Sequence, residues 1–321
     1  MLGKIKEYLR KNTKYGKSRY LNFLYDYDLK QYFNNSCMNE KNPERMATEM
    51  RILVHAIEKG MSLPECKVGF GKQKVLQLIA LYNNYSKVEN KKDEQVLHLV
   101  KSVLRCYKDF QTKKGVVVDF IPQELLVCDC QTIQTGAVET KVHKSTNFSE
   151  IALGRHSCRA FADKNISNDL IKQIVSLAQT APSACNRQSI RIYACTNKEK
   201  IDQIFDMHCG IRGFSKPAVV FVITGDLALY LNEYERNTLF VDGGIYLMNL
   251  LYAIDSFGLA SCPVIWGSEP SGDKKLCELL NIPKHEKIIS LALAGYHTDD
   301  TYLAAASAKR DIDTVLTIIQ E

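Results

Sequence analysis

Two guanidiniums stand four residues apart in Arg155-His156-Ser157-Cys158-Arg159, and the run is followed by the loop Pro182-Ser183-Ala184-Cys185-Asn186-Arg187-Gln188. Guanidinium forks match phosphate oxygens two bonds at a time. The amides of Asn186 and Gln188 both donate and accept along the edge of a flat ring. Together these side chains suit an anionic, heteroaromatic ligand. Each piece alone also fits a solvated turn, so the order and spacing carry the reading. Cys158 and Cys185 sit inside these segments without a base at recognisable spacing, and they read as small packing residues. A thiol enzyme pairing Cys185 with His156 or His208 is a competing reading.

These residues need a scaffold, and the pattern of apolar residues outlines one. In residues 44–61, Met46, Met50, Ile52, Leu53 and Ile57 recur largely at spacings of three and four, which predicts an amphipathic helix, with Gly60 as its stop. Residues 72–85 and 94–110 repeat that pattern, while residues 4–11 and 18–32 are expected to form two further helices. Val116-Val117-Val118-Asp119-Phe120 is β-branched and predicts a strand. Residues 132–147 are polar and lack periodicity, so a linker is expected there. Beyond it, helices over 168–179, 198–207, 243–257 and 273–280 alternate with strands over 190–196, 218–225, 260–265 and 287–294. That alternation indicates mixed helix and sheet without choosing a topology. Two domains are expected, residues 1–145 mainly helical and residues 146–321 carrying the motifs.

Charge separates the same two parts. Residues 1–145 hold 25 Lys/Arg against 16 Asp/Glu, whereas the rest holds 17 against 20. The basic part suits an acidic partner, but its lysines are scattered and no nucleic-acid motif accompanies them. No apolar stretch is long enough for a membrane span. The eleven cysteines show no disulfide spacing and no leader is evident, so reduced thiols and a cytoplasmic location are expected. Cys128-Asp129-Cys130 lacks a second pair at zinc spacing, and free thiols are the better reading.

The segments at 155–159 and 182–188 resemble the opening of the nitroreductase family of FMN-dependent oxidoreductases. Three later pieces extend the resemblance in family order. They are Asp242-Gly243-Gly244 opening a helix toward Gly258-Leu259-Ala260-Ser261-Cys262-Pro263-Val264, then Gly295-Tyr296, then Ala308-Lys309-Arg310. The resemblance covers roughly residues 150–318 and implies an α+β, nitroreductase-like FMN-binding fold with a central mixed sheet, dimeric, preceded by the helical N-terminal part. It implies that Arg155, His156, Ser157, Arg159, Lys309 and Arg310 hold the FMN phosphate and ribityl chain. Pro182, Ser183, Asn186 and Gln188 would come from the partner subunit, and the backbone at Pro263, Val264 and Ile265 would pass over the flavin. Arg212 is a candidate near the flavin pyrimidine or else an exposed loop arginine, and Trp266, in place of the family's acidic residue, a candidate wall of the substrate pocket or else a core tryptophan. The implied activity passes hydride from NAD(P)H through flavin N5 to a nitroaromatic, quinone or other small conjugated acceptor. Such chemistry belongs to the cofactor and needs no catalytic side chain.

His55-Ala56-Ile57-Glu58-Lys59-Gly60-Met61-Ser62-Leu63-Pro64, continuing to Gly69-Phe70-Gly71, resembles an N-terminal extension of nitroreductase-like proteins associated with bacterial polysaccharide biosynthesis. That resemblance implies the alternative of a flavin-binding scaffold in a polysaccharide-assembly complex, without turnover. His55 and Glu58 share a helical face. They suit a helix-end hydrogen bond or a place at the mouth of a site, and one such pair is too few for a metal.

Overall fold

The structure is a computed structural model that describes residues 12–35, 45–89, 93–127, 133–141, 147–230, 233–268 and 270–320. The expected helix over 4–11 and Cys128-Asp129-Cys130 lie outside the described residues. Helices α1 (Lys14–Asn35), α2 (Arg45–Met61), α3 (Lys72–Tyr85) and α4 (Gln95–Lys113) form the N-terminal part. Met50, Val54, Ile57 and Met61 of α2 meet Val75 and Leu78 of α3 and Val96, Val100 and Val103 of α4 in one core. Each such side chain contributes about 1.5–3 kcal/mol by leaving water, which is what holds three modest helices together.

Two expectations fail here for packing reasons. Gly60 does not stop α2: it lies within the helix, and a Cβ there would sit 2.2 Å from the Phe70 ring, so glycine is required by close approach. Residues 116–120 are not a strand. Val118 drops into the helical core while Val117 is exposed, and no neighbouring strand pairs with them.

The rest of the chain runs β1 (Ala137–Lys141), α5 (Phe148–Gly154), α6 (Asn168–Ala178), β2 (Ile190–Cys195), α7 (Lys198–Met207), β3 (Val219–Asp226), α8 (Thr238–Ser256), β4 (Ala260–Ile265), α9 (Pro270–Leu280), β5 (Glu286–Gly295) and β6 (Thr301–Ala305). Ser167 caps α6 and Asn197 caps α7, each side-chain oxygen accepting a backbone N–H of the first turn. Strand order is β2-β3-β5-β4 with antiparallel ladders, and a parallel bridge between Ser157 and Ser261 adds a further segment beside β4. β3 is buried at every position because helices cover both faces. Its alternation is strict: Val220 and Val222 face the core shared with α7 and α9, while Val219, Phe221 and Ile223 face α6 and α8. Helices segregated around an antiparallel sheet make the architecture α+β.

The stretch expected to be a linker contains β1, which pairs along its whole length with β6 near the other end of the chain. Polar residues such as Glu139 and Thr140 suit a two-stranded ribbon with an exposed face, and hide it from a search for apolar runs. That ribbon, Ala308 packed on the helical core and contacts of α2 with β6 bind the two ends of the chain together. Among the described residues, no helix is long and apolar enough to cross a membrane.

Candidate functional site

Where α5 ends, the chain turns alongside β4. Ser157 bridges to Ser261, and the Cys158 amide donates to the Ser261 carbonyl at 2.9 Å. Cys158 enters the core, while Arg155, Ser157 and Arg159 line one cavity of about 840 Å³. His156 lines the same cavity, with Nδ1 2.8 Å from the Gly154 carbonyl. Pro263, Val264 and Ile265 of β4 form another wall, and Lys309 arrives from the far end of the sequence.

The two arginines are the notable feature of this cavity. Arg159 is only 4% exposed. Its Nη1 donates to Ser62 Oγ at 3.3 Å and to the Ser157 carbonyl at 3.2 Å, and its guanidinium lies 5.7 Å over the Phe214 ring. Its Nε, like Arg155 Nη1 and Ser261 Oγ, is buried without a hydrogen-bond partner. Burial pulls the Arg159 guanidinium below its ordinary pKa. Among the described residues, no Asp or Glu lines the cavity. Since roughly 90% or more of buried polar groups find partners, donors left over on charged side chains mark a place for an anion.

The remaining expected residues go to different places. Arg310 does not join Lys309 in the cavity: its Nη2 lies 3.5 Å from Asp93 Oδ2. Asp93 already accepts from Arg51 Nε at 2.7 Å and Nη2 at 3.0 Å. Burial pushes its carboxyl upward, but the hydrogen-bonded Arg51 and the nearby Arg310 hold it below the usual carboxylate range. Arg212 is exposed and outside the cavity lining, although Gly210 and Ile211 beside it are part of the wall. Trp266 packs in the core beside Leu276, its Nε1 donating to Asp273 Oδ1 at 2.7 Å, and it lines an adjoining pocket of about 550 Å³ that shares His208 and Gly210 with the arginine cavity.

Pro182, Ser183 and Gln188 line yet another pocket, of about 310 Å³, with Asp242 and Tyr246. The side chain of Asn186 is outside the described set. Cys185 and Gln188 both have φ 51°, a conformation that costs a non-glycine residue free energy. The loop is held in it by the Gln188 amide donating to Ser183 Oγ at 2.9 Å and the Ala184 amide donating to Asp242 Oδ1 at 3.1 Å. α8 begins at Thr238, so Asp242 lies within the helix rather than at its start, and a Cβ on Gly243 would meet Ile289. Within one chain this loop and the arginine cavity are separate sites.

Several contributors to the arginine cavity were not foreseen. Lys59 reaches it from α2 beside His55, for which the mouth of a site is one of two sequence readings, and His208, Phe214 and Ser307 reach it from loops. A lysine in the last turn of a helix is commonplace, so no local signal singles out Lys59. The neighbouring Glu58 is buried, accepts from the Gly136 amide at 3.2 Å, and has His55 Nδ1 at 3.8 Å from Oε2. Its carboxylate thus anchors α2 to β1 while His55 sits on the cavity wall. His208 Nδ1 accepts from the Gly210 amide at 3.0 Å, which assigns the proton to Nε2 and makes it the donor to the Ile265 carbonyl at 2.8 Å. The buried thiols of Cys158 and Cys262 are both pushed up by burial, Cys158 to about 11, so neither is a thiolate near neutrality. Among the described residues, no group of three or more His, Cys, Asp or Glu is placed to hold a metal ion.

Residues 152–209 match the model of the nitroreductase family. A relative from Bacillus subtilis named FMN reductase (NAD(P)H) is 26% identical over 160 residues, 44% of this chain and 63% of that protein, so the match spans less than two thirds of the relative. A solved nitroreductase family protein from Streptococcus pneumoniae covers 54% of this chain and 100% of its own, at 19% identity and a TM-score of 0.47. A second, from Clostridium difficile, covers 48% and 86%, at 22% identity and a TM-score of 0.42. The family model and the curated relatives support the nitroreductase family for the C-terminal half.

Proposed function

We propose that this chain is an FMN-dependent oxidoreductase that takes reducing equivalents from NAD(P)H and delivers them to a small conjugated acceptor. The observation that carries the reading is that Arg155 and Arg159, each with a buried guanidinium nitrogen lacking a partner, line one cavity with Lys309, and that among the described residues no Asp or Glu lines it. A phosphate monoester carries about −1.5 to −2 at neutral pH and needs more than one cation. The residues present fit such a group. Arg155, Arg159 and Lys309 would hold the phosphate, with Ser157 and His156 beside the polyol chain. The β4 edge at Pro263–Ile265 offers backbone to a flat ring, and His208 steadies it through the Ile265 carbonyl. Bound FMN would supply the redox chemistry, accepting two electrons from a nicotinamide and returning them to the acceptor.

Arg310 is left out of this proposal because Asp93 engages it. Pro182, Ser183, Asn186 and Gln188 belong to the proposal only through a second subunit, since their pocket is separate within one chain; a homodimer with shared sites is therefore part of it. Residues 1–145 and 146–321 are proposed as its two units. The signature at residues 55–64 supports the extended, polysaccharide-associated subgroup, on those residues alone. The test is direct: the purified chain should be yellow with an oxidised-flavin spectrum, bleached anaerobically by NADH or NADPH. Colourless protein that takes up no added FMN overturns the reading.

A further inference from the structure

The cavity holds more positive charge than one phosphate neutralises. Arg155, Arg159, Lys59 and Lys309 all line it, no Asp or Glu does, and among the described residues none of the four takes part in an ion pair. A mononucleotide phosphate accounts for about two of these charges, and the buried Glu58 carboxylate, whose charge acts on Arg159, offsets part of a third, so about one remains.

The cations also differ in depth. Arg155 and Arg159 present buried nitrogens, suited to a resident phosphate. Lys59 stands half-buried at the rim, where Nζ donates to the Gly210 carbonyl at 3.3 Å in an exposed contact and lies 5.9 Å over the same Phe214 ring that carries Arg159. A neutral carbonyl is a weak partner for an ammonium group, easily exchanged for a carboxylate. Burial and the nearby Arg159 pull the Lys59 amine below its ordinary pKa, as expected where like charges face an unfilled need for an anion.

The wall carrying Lys59 is well fixed. Ser62 Oγ donates to the Lys59 carbonyl at 3.0 Å and accepts from Arg159, while buried Glu58 ties α2 to Gly136. We propose that Lys59 is a specificity residue of the site, recognising the anionic group of the electron acceptor, so that the preferred substrates are conjugated acceptors bearing a carboxylate or phosphate. This rests on the FMN oxidoreductase reading and names the substrate class for it.

The experiment uses the full chain with FMN bound and two unreactive, nearly isosteric probes, benzoate and benzamide, titrated while the flavin absorption is followed. Benzoate is expected to bind about tenfold more tightly than benzamide, the order given by one charge-assisted hydrogen bond at a partly wet site. Lys59→Gln should remove most of that preference and Lys59→Arg should keep it, with the FMN content per chain the same in all three proteins. For the unmodified chain, the preference should shrink as salt is raised. Equal binding of the two probes, failure of both to bind, or a preference that survives Lys59→Gln overturns the proposal. Loss of FMN from Lys59→Gln also overturns it, by placing Lys59 on the cofactor phosphate. A chain that takes up no FMN, seen in the spectrum before any titration, overturns the functional reading and this inference together.

Discussion

Arginine does two different jobs in this molecule. Around Asp93, Arg51 and Arg310 converge on one buried carboxylate, and the fork of Arg51 is engaged at both Nε and Nη2. In the cavity beside β4, Arg155 and Arg159 are buried just as purposefully, yet one nitrogen of each has no partner and no carboxylate lines the space. The first cluster is complete within the chain and joins its two ends. The second is incomplete, and an anion from outside would finish it. Pairing, rather than residue type or burial, separates a structural cation from one held ready for a ligand.

Substitutions can break that contrast. Asp93→Ala leaves two guanidiniums facing each other without their counter-charge and should cost about 3–5 kcal/mol, read as a fall in the denaturant midpoint at unchanged slope. Because the Asp93 carboxyl titrates below its unfolded value, the stability it contributes is present above the ordinary Asp range near pH 4 and is lost as pH falls through the lowered folded value. An Asp93→Asn chain should show a flatter acid limb, and an identical limb would show that this pairing is not what acid titrates.

Arg159→Ala should behave oppositely. FMN should bind about 2–4 kcal/mol more weakly in equilibrium dialysis, while the melting temperature of the FMN-free chain holds or rises, since a buried charge without a full partner set has been removed. FMN retention equal to that of the unmodified chain would refute the phosphate assignment. Trp266→Phe loses the bond to Asp273 and should cost about 1 kcal/mol of stability. If Trp266 is a core residue, acceptor kinetics stay within experimental error, and an acceptor-dependent change in KM would return it to the substrate pocket. The smallest effect is expected for Arg310→Ala. Its pair with Asp93 is long and half-exposed, worth about 1 kcal/mol or less, and FMN affinity should be unaffected, whereas Lys309→Ala should weaken FMN measurably.

Much of the fold was legible because its signals are local. Three- and four-residue spacing marks α2, α3 and α4, and short apolar runs between helical segments mark β3 and β5. Arg155, His156, Ser157 and Arg159 could be picked out for the same reason: they are neighbours in the chain, and an extended segment beside β4 turns them toward one space. The misses involve partners far apart in sequence. Residues 137–141 carry no apolar run, and only β6 makes them a strand. Gly60 looks like a helix stop until Phe70 is seen against it. Lys309 and Arg310 are adjacent and chemically alike, yet one lines the cavity and the other turns to Asp93, the carboxylate that Arg51 also engages. Lys59 is an unremarkable lysine until α2 is laid across Phe214. Spacing along the chain reports what a residue can do within a few positions of itself. Which of several like charges remains uncompensated depends on contacts closed between distant segments, and those exist only once the chain has folded.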